Sequence, residues 1–493
     1  MTSKSGDTSV LIAPSPTPTS TPTPTATPVD PTYFRVINYG AKGDGVTDDR
    51  ASIQAALDAA KLVNGTVYFD PGTYHLGSLS TAGDLLYVTG WTAFTINLLG
   101  DNATIETSYV GKSILHALGK WTNSFVRGLT FKNTHGLTTT GSAGIYLQGT
   151  SANDVKNWTI EGNTFMNFQT AIQTTGVDTI TIENNDFIME KGRDSGTGTN
   201  STLPNVAIWN FDNTPNGNSV RIQILNNRYA GCGSMTDISQ TVSKSCGDGF
   251  SFGRPTQSLI KGNSIRGFSA EGIAMASALN PGLENTVTEN TIDGTMITGD
   301  QFGGGLWGIR IENDGAIISS NVIKNAVTGI MSCTGTSCGG TGVNATGLQI
   351  YNNTISFDSA PTQIVEVGIS LIGVSQSSVW NNTITFNSGL IPTGWQAQGI
   401  LLTGSSPTLL SDSITATGNI VTNHITGPTG STAGIALQRL SNWTVTGNTL
   451  TGASYGLGIT NQTGTAAQLT TLLNGNTFSG NASNYHLTSS SFP

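Results

Sequence analysis

Two acidic residues one repeat apart pose the chemical question in this chain. Asp248 stands immediately before Gly249 and Phe250, and Glu271 stands immediately before Gly272 and Ile273, 23 residues later (271−248). Elsewhere the position ahead of this recurring pair holds Ala143, Thr170, Thr328, Val367 and Ala433, so acids on successive copies break the pattern. Stacked one coil apart, the two carboxyls are expected roughly 5 to 7 Å from each other. Like charges that close separate their pKa values and leave one protonated acid beside one ionised base or nucleophile. Glycoside cleavage uses such a pair, one carboxyl protonating the leaving oxygen while the other activates water or attacks carbon. The bland alternative is two solvated carboxylates on a strand edge, or loop caps.

Other side chains on the same few copies extend the candidate site. Strand alternation turns the second and fourth residues after the glycine (or after Ala207) outward, which brings Trp209, Phe211, Ser251, Arg310 and Glu312 to the face that carries Asp248 and Glu271, and Trp307 joins them at the pre-glycine position that the two acids share. Arg310 offers a guanidinium fork for a substrate carboxylate or sulfate, with Arg254 and Arg266 on neighbouring coils; an ion pair with Glu312, Asp314 or Asp248 is the structural alternative. Trp209 and Trp307 offer flat platforms for sugar rings, or simply pack loops. The catalytic candidates are therefore Asp248, Glu271 and Arg310, and the substrate-binding candidates Trp209, Trp307, Arg254 and Glu312. Neither a metal site nor a cofactor is implied.

The elements that must position these residues are announced by an asparagine. It recurs as apolar-x-x-Asn-x-apolar at 163, 185, 227, 263, 290, 321, 353, 382, 448 and 476, with a looser copy at Asn419. A fixed short core with variable inserts marks a solenoid, and the flanking alternation is that of strands. The second recurring strand, Gly-Ile or a close variant, usually begins eight residues later (171−163, 329−321, 456−448). That interval grows to 22 residues at 185 to 207 and at 227 to 249, and to 18 at 290 to 308. These inserts leave one corner of consecutive coils and should wall a groove over the acids. The asparagines are expected to form an internal ladder. Trp158 and Trp443, each five residues before its asparagine, share one repeat site and are read as structural.

Composition agrees with a solenoid. Only 10% of the 493 residues are charged, against a usual level of about a quarter, and there are 62 glycines. The net charge of −9 does not favour a polyanionic partner or nucleic acid. No apolar run reaches membrane-spanning length. Residues 1–32 read as a tail with a Pro/Thr-rich tether, and residues 33–493 as one elongated domain. The apolar stretch at 10–13 is too short for a signal core, so export is expected through a leader already removed or by another route. The four cysteines pair by proximity as Cys232 with Cys246 and Cys333 with Cys338 in inserted loops, in keeping with a secreted or cell-surface protein; free thiols are the alternative.

The N-terminal block reads Tyr-Gly-Ala-Lys-Gly-Asp-Gly-Val-Thr-Asp-Asp from Tyr39, then an amphipathic helix presenting Ile53, Ala56, Leu57 and Ala60, then Gly-Thr-Val-Tyr-Phe-Asp-Pro-Gly-Thr-Tyr ending at Tyr74. Asp48 and Asp49 favour the start of that helix, which is expected to cap the open end of the solenoid. This block resembles the N-terminal signature of pectate-lyase-superfamily right-handed parallel β-helix proteins. The resemblance implies an all-β, single-stranded parallel β-helix with an N-terminal capping helix, and an extracellular carbohydrate-active function. Within that superfamily the chain is distantly similar to polygalacturonase-like hydrolases: Asp248-Gly249 keeps part of Asn-Thr-Asp-Gly, Glu271 one acid of Gly-Asp-Asp, and Arg310-Ile311 part of Arg-Ile-Lys, while the Gly-His-Gly element is absent. The expected activity is hydrolysis of a polysaccharide in a groove on the β-helix. The alternatives are a polysaccharide lyase or epimerase, for which Lys261, Arg266 and Tyr229 form no recognisable constellation, and a non-catalytic adhesin, spike or filament subunit.

Overall fold

Each coil can bury its apolar residues only against the coils above and below it, so the fold is a stack. In the computed structural model, parallel strand pairing runs from Tyr33–Arg35 on Thr66–Phe69 to Tyr455–Thr460 on Ser483–Thr488. The structure describes residues 33–492 except 110, 135–142, 152–153, 190–205, 211–218, 232–246, 254, 269, 276–283, 296–306, 334–344, 359–364, 388–395, 407–409 and 426–431. A central coil contains three strands, Asp248–Phe252, Leu259–Lys261 and Ser264–Arg266. Each pairs in parallel with its counterpart on the next coil, Glu271–Met275, Thr286–Thr288 and Thr291–Asp293. Three parallel sheets thus wrap one apolar core, as expected of a parallel β-helix.

The inward column after the glycines is Ile145, Ile172, Ile208, Phe250, Ile273, Ile309, Ile330, Ile369, Ile400, Ile435 and Leu457, all buried. The glycines themselves answer a packing demand. A Cβ on Gly272 would lie 2.6 Å from the carbonyl oxygen of Gly308, and one on Gly308 the same distance from that of Gly329. Successive backbones approach so closely along this column that side chains are excluded from most of its length.

The asparagine ladder is present. The backbone N–H and Nδ2 of Asn263 both donate to Oδ1 of Asn290, at 3.0 and 2.9 Å, and Asn290 donates in the same way to Asn321. The chain of amides runs from Asn163 through Asn185, Asn227, Asn353, Asn382, Asn419 and Asn448 to Asn476. Each Nδ2 also reaches a main-chain carbonyl of the preceding coil, Ile260 for Asn290 at 3.0 Å. Asparagine suits the position because its amide offers donors to both neighbours and an acceptor in return, which a buried polar group requires. The residue ahead of the ladder positions from Asn163 to Asn448 takes a left-handed conformation, which explains the Gly or Asn found there at Gly162, Asn184, Asn226, Gly262 and Asn352.

The N-terminal helix Arg50–Lys61 buries Ile53, Ala56, Leu57 and Ala60 and packs on Tyr33–Arg35, Thr66–Phe69 and Leu86–Phe94. Of the two aspartates expected to favour its start, one departs from that role. Asp49 makes no cap bond to its own helix; its carboxylate accepts the N–H groups of Lys42 and Gly43 at 2.6 and 3.0 Å, pinning the glycine-rich segment. Asp48 accepts from Gly77 and from Arg50. A second helix, Ala466–Asn474, which the sequence reading did not anticipate, starts from a reciprocal Thr465 and Gln468 capping box. Trp158 is buried in the core and Trp443 packs half-buried against it. Cys232, Cys246 and Cys338 lie outside the described residues, and with them both expected disulfides.

Candidate active site

The strands Val206–Asn210, Asp248–Phe252, Glu271–Met275 and Trp307–Ile311 lie side by side on one sheet and carry the described candidates. Register sets two outward columns. Ahead of the glycines run Val206, Asp248, Glu271 and Trp307; beyond them run Trp209, Ser251, Ala274 and Arg310. Small residues at Ser251 and Ala274 leave a low floor between Trp209 and Arg310, with the two acids along its side. Arg254, Phe211 and most of the residues in the three long inserts lie outside the described residues.

One rung of this sheet is irregular. At other rungs the N–H at this register position, ahead of the glycine or of Ala207, donates to a main-chain carbonyl: Val206 to Gln169 at 2.8 Å, Trp307 to Ala270 at 2.8 Å, Val367 to Val327 at 3.0 Å. The equivalent N–H of Glu271 donates instead to Oδ1 of Asp248 at 3.0 Å. Gly247, whose carbonyl would have continued the series, is in the left-handed region at φ 79°. The side chain of Asp248 thereby takes a place in the main-chain ladder.

Asp248 is 4% exposed and Glu271 9%. Burial, followed by the nearby charge of Glu271, pushes the Asp248 carboxyl up to about 8, with the N–H groups of Glu271 and Ala270 and the charge of Arg310 opposing. Arg310 Nη1 donates to Glu271 Oε1 at 2.7 Å, and its Nε to Glu312 Oε1 at 2.8 Å. Burial works against the Arg310 charge, yet the two glutamates outweigh it and hold the guanidinium above its usual pKa. Burial raises Glu312 in spite of Arg310. Trp307 completes the group, the Arg310 guanidinium carbon lying 5.0 Å from its ring centroid. The structure therefore brings Asp248, Glu271, Arg310, Glu312 and Trp307 together. Trp209 sits three rungs from Arg310 on the same column. The sequence offers the Arg310 fork either to substrate or to an ion pair with Glu312, Asp314 or Asp248; the structure shows it engaged by Glu312 and also by Glu271.

A second polar cluster on this sheet escaped the sequence reading. His116 Nδ1 lies 2.7 Å from Asp84 Oδ2 and Nε2 lies 2.9 Å from Gln148 Oε1, and the ring stacks on Tyr146 at 4.6 Å between centroids. Burial opposes ionisation of Asp84, but the hydrogen bond and charge of His116 hold it below the usual carboxylate range. Burial pushes the Tyr146 phenol up. Both ring nitrogens are engaged, so the cluster presents no open base. The available signal was Tyr146 two residues after Gly144, the offset that also yields Trp209 and Arg310.

The family model for rhamnogalacturonase A/epimerase, pectate lyase-like proteins matches residues 33–296. The chain belongs to this family. A model of the right-handed β-helix region matches residues 305–491, in keeping with the expected handedness. The likenesses to curated proteins are local. Mannuronan C5-epimerase AlgE4 of Azotobacter vinelandii is 52% identical over 52 residues, 10% of this chain and 9% of the relative. Alginate lyase 7 of the same organism is 31% identical over 106 residues, 21% of this chain and 11% of the relative. Plasmin and fibronectin-binding protein A of Streptococcus pneumoniae is 56% identical over 45 residues, 9% of this chain and 6% of the relative. The chain thus spans about a tenth of the length of these curated relatives. Among solved structures, a mutant tailspike protein of E. coli bacteriophage HK620 in complex with a pentasaccharide gives a TM-score of 0.54 at 11% identity, covering 92% of this chain and 81% of that one, a likeness of fold.

Proposed function

We propose that this protein is a secreted or surface-bound glycoside hydrolase that cleaves a polysaccharide without a cofactor, using Asp248 and Glu271. The observation that carries the reading is the buried Asp248 carboxyl, held protonated up to about 8, whose Oδ1 is fixed by the main chain of the second acid. Asp248 donates its proton to the glycosidic oxygen as the bond to the sugar carbon breaks. Glu271 either removes a proton from an attacking water or attacks the carbon itself, giving inversion or retention respectively. Arg310 serves as the positioning group for Glu271, and Trp307 and Trp209 flank the floor as stacking surfaces. Arg254 and Glu312 complete the proposed substrate contacts. Support for a carbohydrate substrate comes from the names of the local relatives, an epimerase of mannuronan and a lyase of alginate.

Elimination or epimerisation needs a base turned toward a sugar C5 proton, and both ring nitrogens of His116 are engaged by Asp84 and Gln148. A second reading, glycan binding without turnover, is favoured by the closed network in which Arg310 is held by Glu271 and Glu312. A polysaccharide digestion screen with product mass spectrometry decides between them. Saturated oligosaccharide products support hydrolysis, unsaturated ends support elimination, and retention of a polymer without cleavage supports the binding role.

A further inference from the structure

Beyond the acids, the same sheet sinks into a second cleft. Following the column of Arg310 along the helix axis, the register passes through Met331, Ser370 and Leu401 to Ala436, Gly458 and His486. The loss of side chain at Ala436 and Gly458 opens a depression of about 450 Å³, within the range of small-ligand sites. Ala436 is four rungs past Arg310, about 19 Å at about 4.8 Å per rung.

The lining combines amide, hydroxyl and aromatic groups with the aliphatic side chains of Leu401, Leu437 and Ile459. Gln396 and Gln398 form one wall with Tyr455, Gln438 and Thr460 line the other, and His486 closes the end, its ring stacked 4.4 Å from that of Tyr455. Among the described residues, no Asp, Glu, Lys or Arg lines the cleft. Gln398 Nε2 donates to Gln396 Oε1 at 3.2 Å, whereas Gln398 Oε1 is a buried acceptor with no hydrogen-bond partner among the described residues. A buried amide oxygen left unpaired is costly, and a sugar hydroxyl relieves that cost once the half-buried Gln398 amide turns to present it to the cleft.

We infer that this cleft is a binding site for a neutral, hydroxyl-rich glycan, distinct from the paired acids and in line with them on one sheet. Amides and hydroxyls match sugar hydroxyls, the aromatic pair supplies an apolar edge, and among the described residues no Lys or Arg lines the cleft to neutralise a uronate or sulfate. The site does not depend on Asp248 or Glu271 being catalytic.

The test is affinity electrophoresis of the full chain in gels containing xyloglucan, galactomannan, dextran or arabinoxylan, with alginate and polygalacturonate alongside. At least one neutral polymer should retard the wild type, and Ala436→Leu and Gly458→Leu should each weaken that retardation at least tenfold. Leucine already occupies the column at Leu401, and a Cβ on Gly458 meets only Ala433 Cβ, at 3.5 Å, so both variants have room to fold. Gln398→Ala provides a second route, deleting the acceptor without filling the cleft, and should weaken retardation as well. Glu271→Gln should leave retardation by the neutral polymers unchanged, which separates this site from the proposed hydrolase chemistry. The inference is overturned if no neutral polymer retards the wild type, if only the acidic polymers do, or if the leucine and Gln398 variants bind as the parent does.

Discussion

The side chain of Asp248 is bound to the main chain of Glu271: Oδ1 of the first accepts the N–H of the second at 3.0 Å, where neighbouring rungs use a carbonyl. Each acid therefore fixes the other, and the pair is bound into the sheet. This coupling shapes what substitution at either position should do.

Asp248→Asn and Glu271→Gln should each lower kcat on a cleavable polysaccharide by about 100-fold or more, the usual scale for losing a general acid or base. Asparagine keeps an oxygen for the Glu271 N–H, so the melting temperature of Asp248→Asn should stay close to that of the parent. Wild-type turnover in both variants, on a substrate the parent cleaves, would remove the assignment.

The raised carboxyl of Asp248 fixes a pH dependence. Between the ordinary carboxylate range and about 8 the folded protein holds a proton that the unfolded chain has released, so this group's contribution to stability falls as pH rises through that window. Chemical denaturation from pH 4 to 9 should show the parent losing stability relative to Asp248→Asn as pH rises. Hydrolytic activity should also decline on the alkaline side near the same value, as the acid loses its proton. A flat difference between parent and variant would contradict the buried acid.

Arg310→Met should destabilise the protein by about 3 kcal/mol or more, because it leaves the buried Glu271 and Glu312 without their shared cation. The double variant with Glu312→Gln should recover part of that loss. Urea unfolding midpoints of the three proteins give the comparison; equal midpoints for parent and Arg310→Met would show the network to be energetically idle.

The ladder makes opposite predictions at adjacent residues. Asn290→Ala removes the acceptor of the Asn263 N–H and Nδ2 and the donor to the Ile260 carbonyl, three buried groups at about 1–3 kcal/mol each. Glu289 holds the left-handed conformation at φ 57° with a side chain that gains nothing from it beyond an exposed pair with Lys261. Glu289→Gly should therefore stabilise by roughly 0.5–1 kcal/mol, the relief of left-handed strain exceeding the entropy of glycine in the unfolded chain. Thermal unfolding should shift down for the first variant and slightly up for the second.

Residues 33–493 are proposed to fold as one unit behind a tether of residues 1–32. Limited proteolysis followed by intact-mass measurement should trim the N-terminal tail and leave a resistant fragment starting near Tyr33. Two stable fragments of comparable size, each able to refold alone, would argue for separate domains.

The chain by itself determined the repeat. In a solenoid every coil meets the same neighbours, so the demands of one ladder position recur and become legible as Asn290 follows Asn263 and Gly308 follows Gly272. It also placed Asp248, Glu271, Trp307 and Arg310 on one face, because strand alternation and coil length settle which residues can share it. What only the tertiary structure decided are relationships at single rungs. The turn at Gly247 admits the Asp248 side chain to the ladder, Glu271 and Glu312 claim the Arg310 fork, and His116 meets Asp84 and Gln148 from separate coils. The cleft at Ala436 and Gly458 is of the same kind, since it exists only relative to the larger side chains stacked beside it. Such contacts depend on angles and side-chain volumes across coils, and a one-dimensional repeat does not encode them in its spacing.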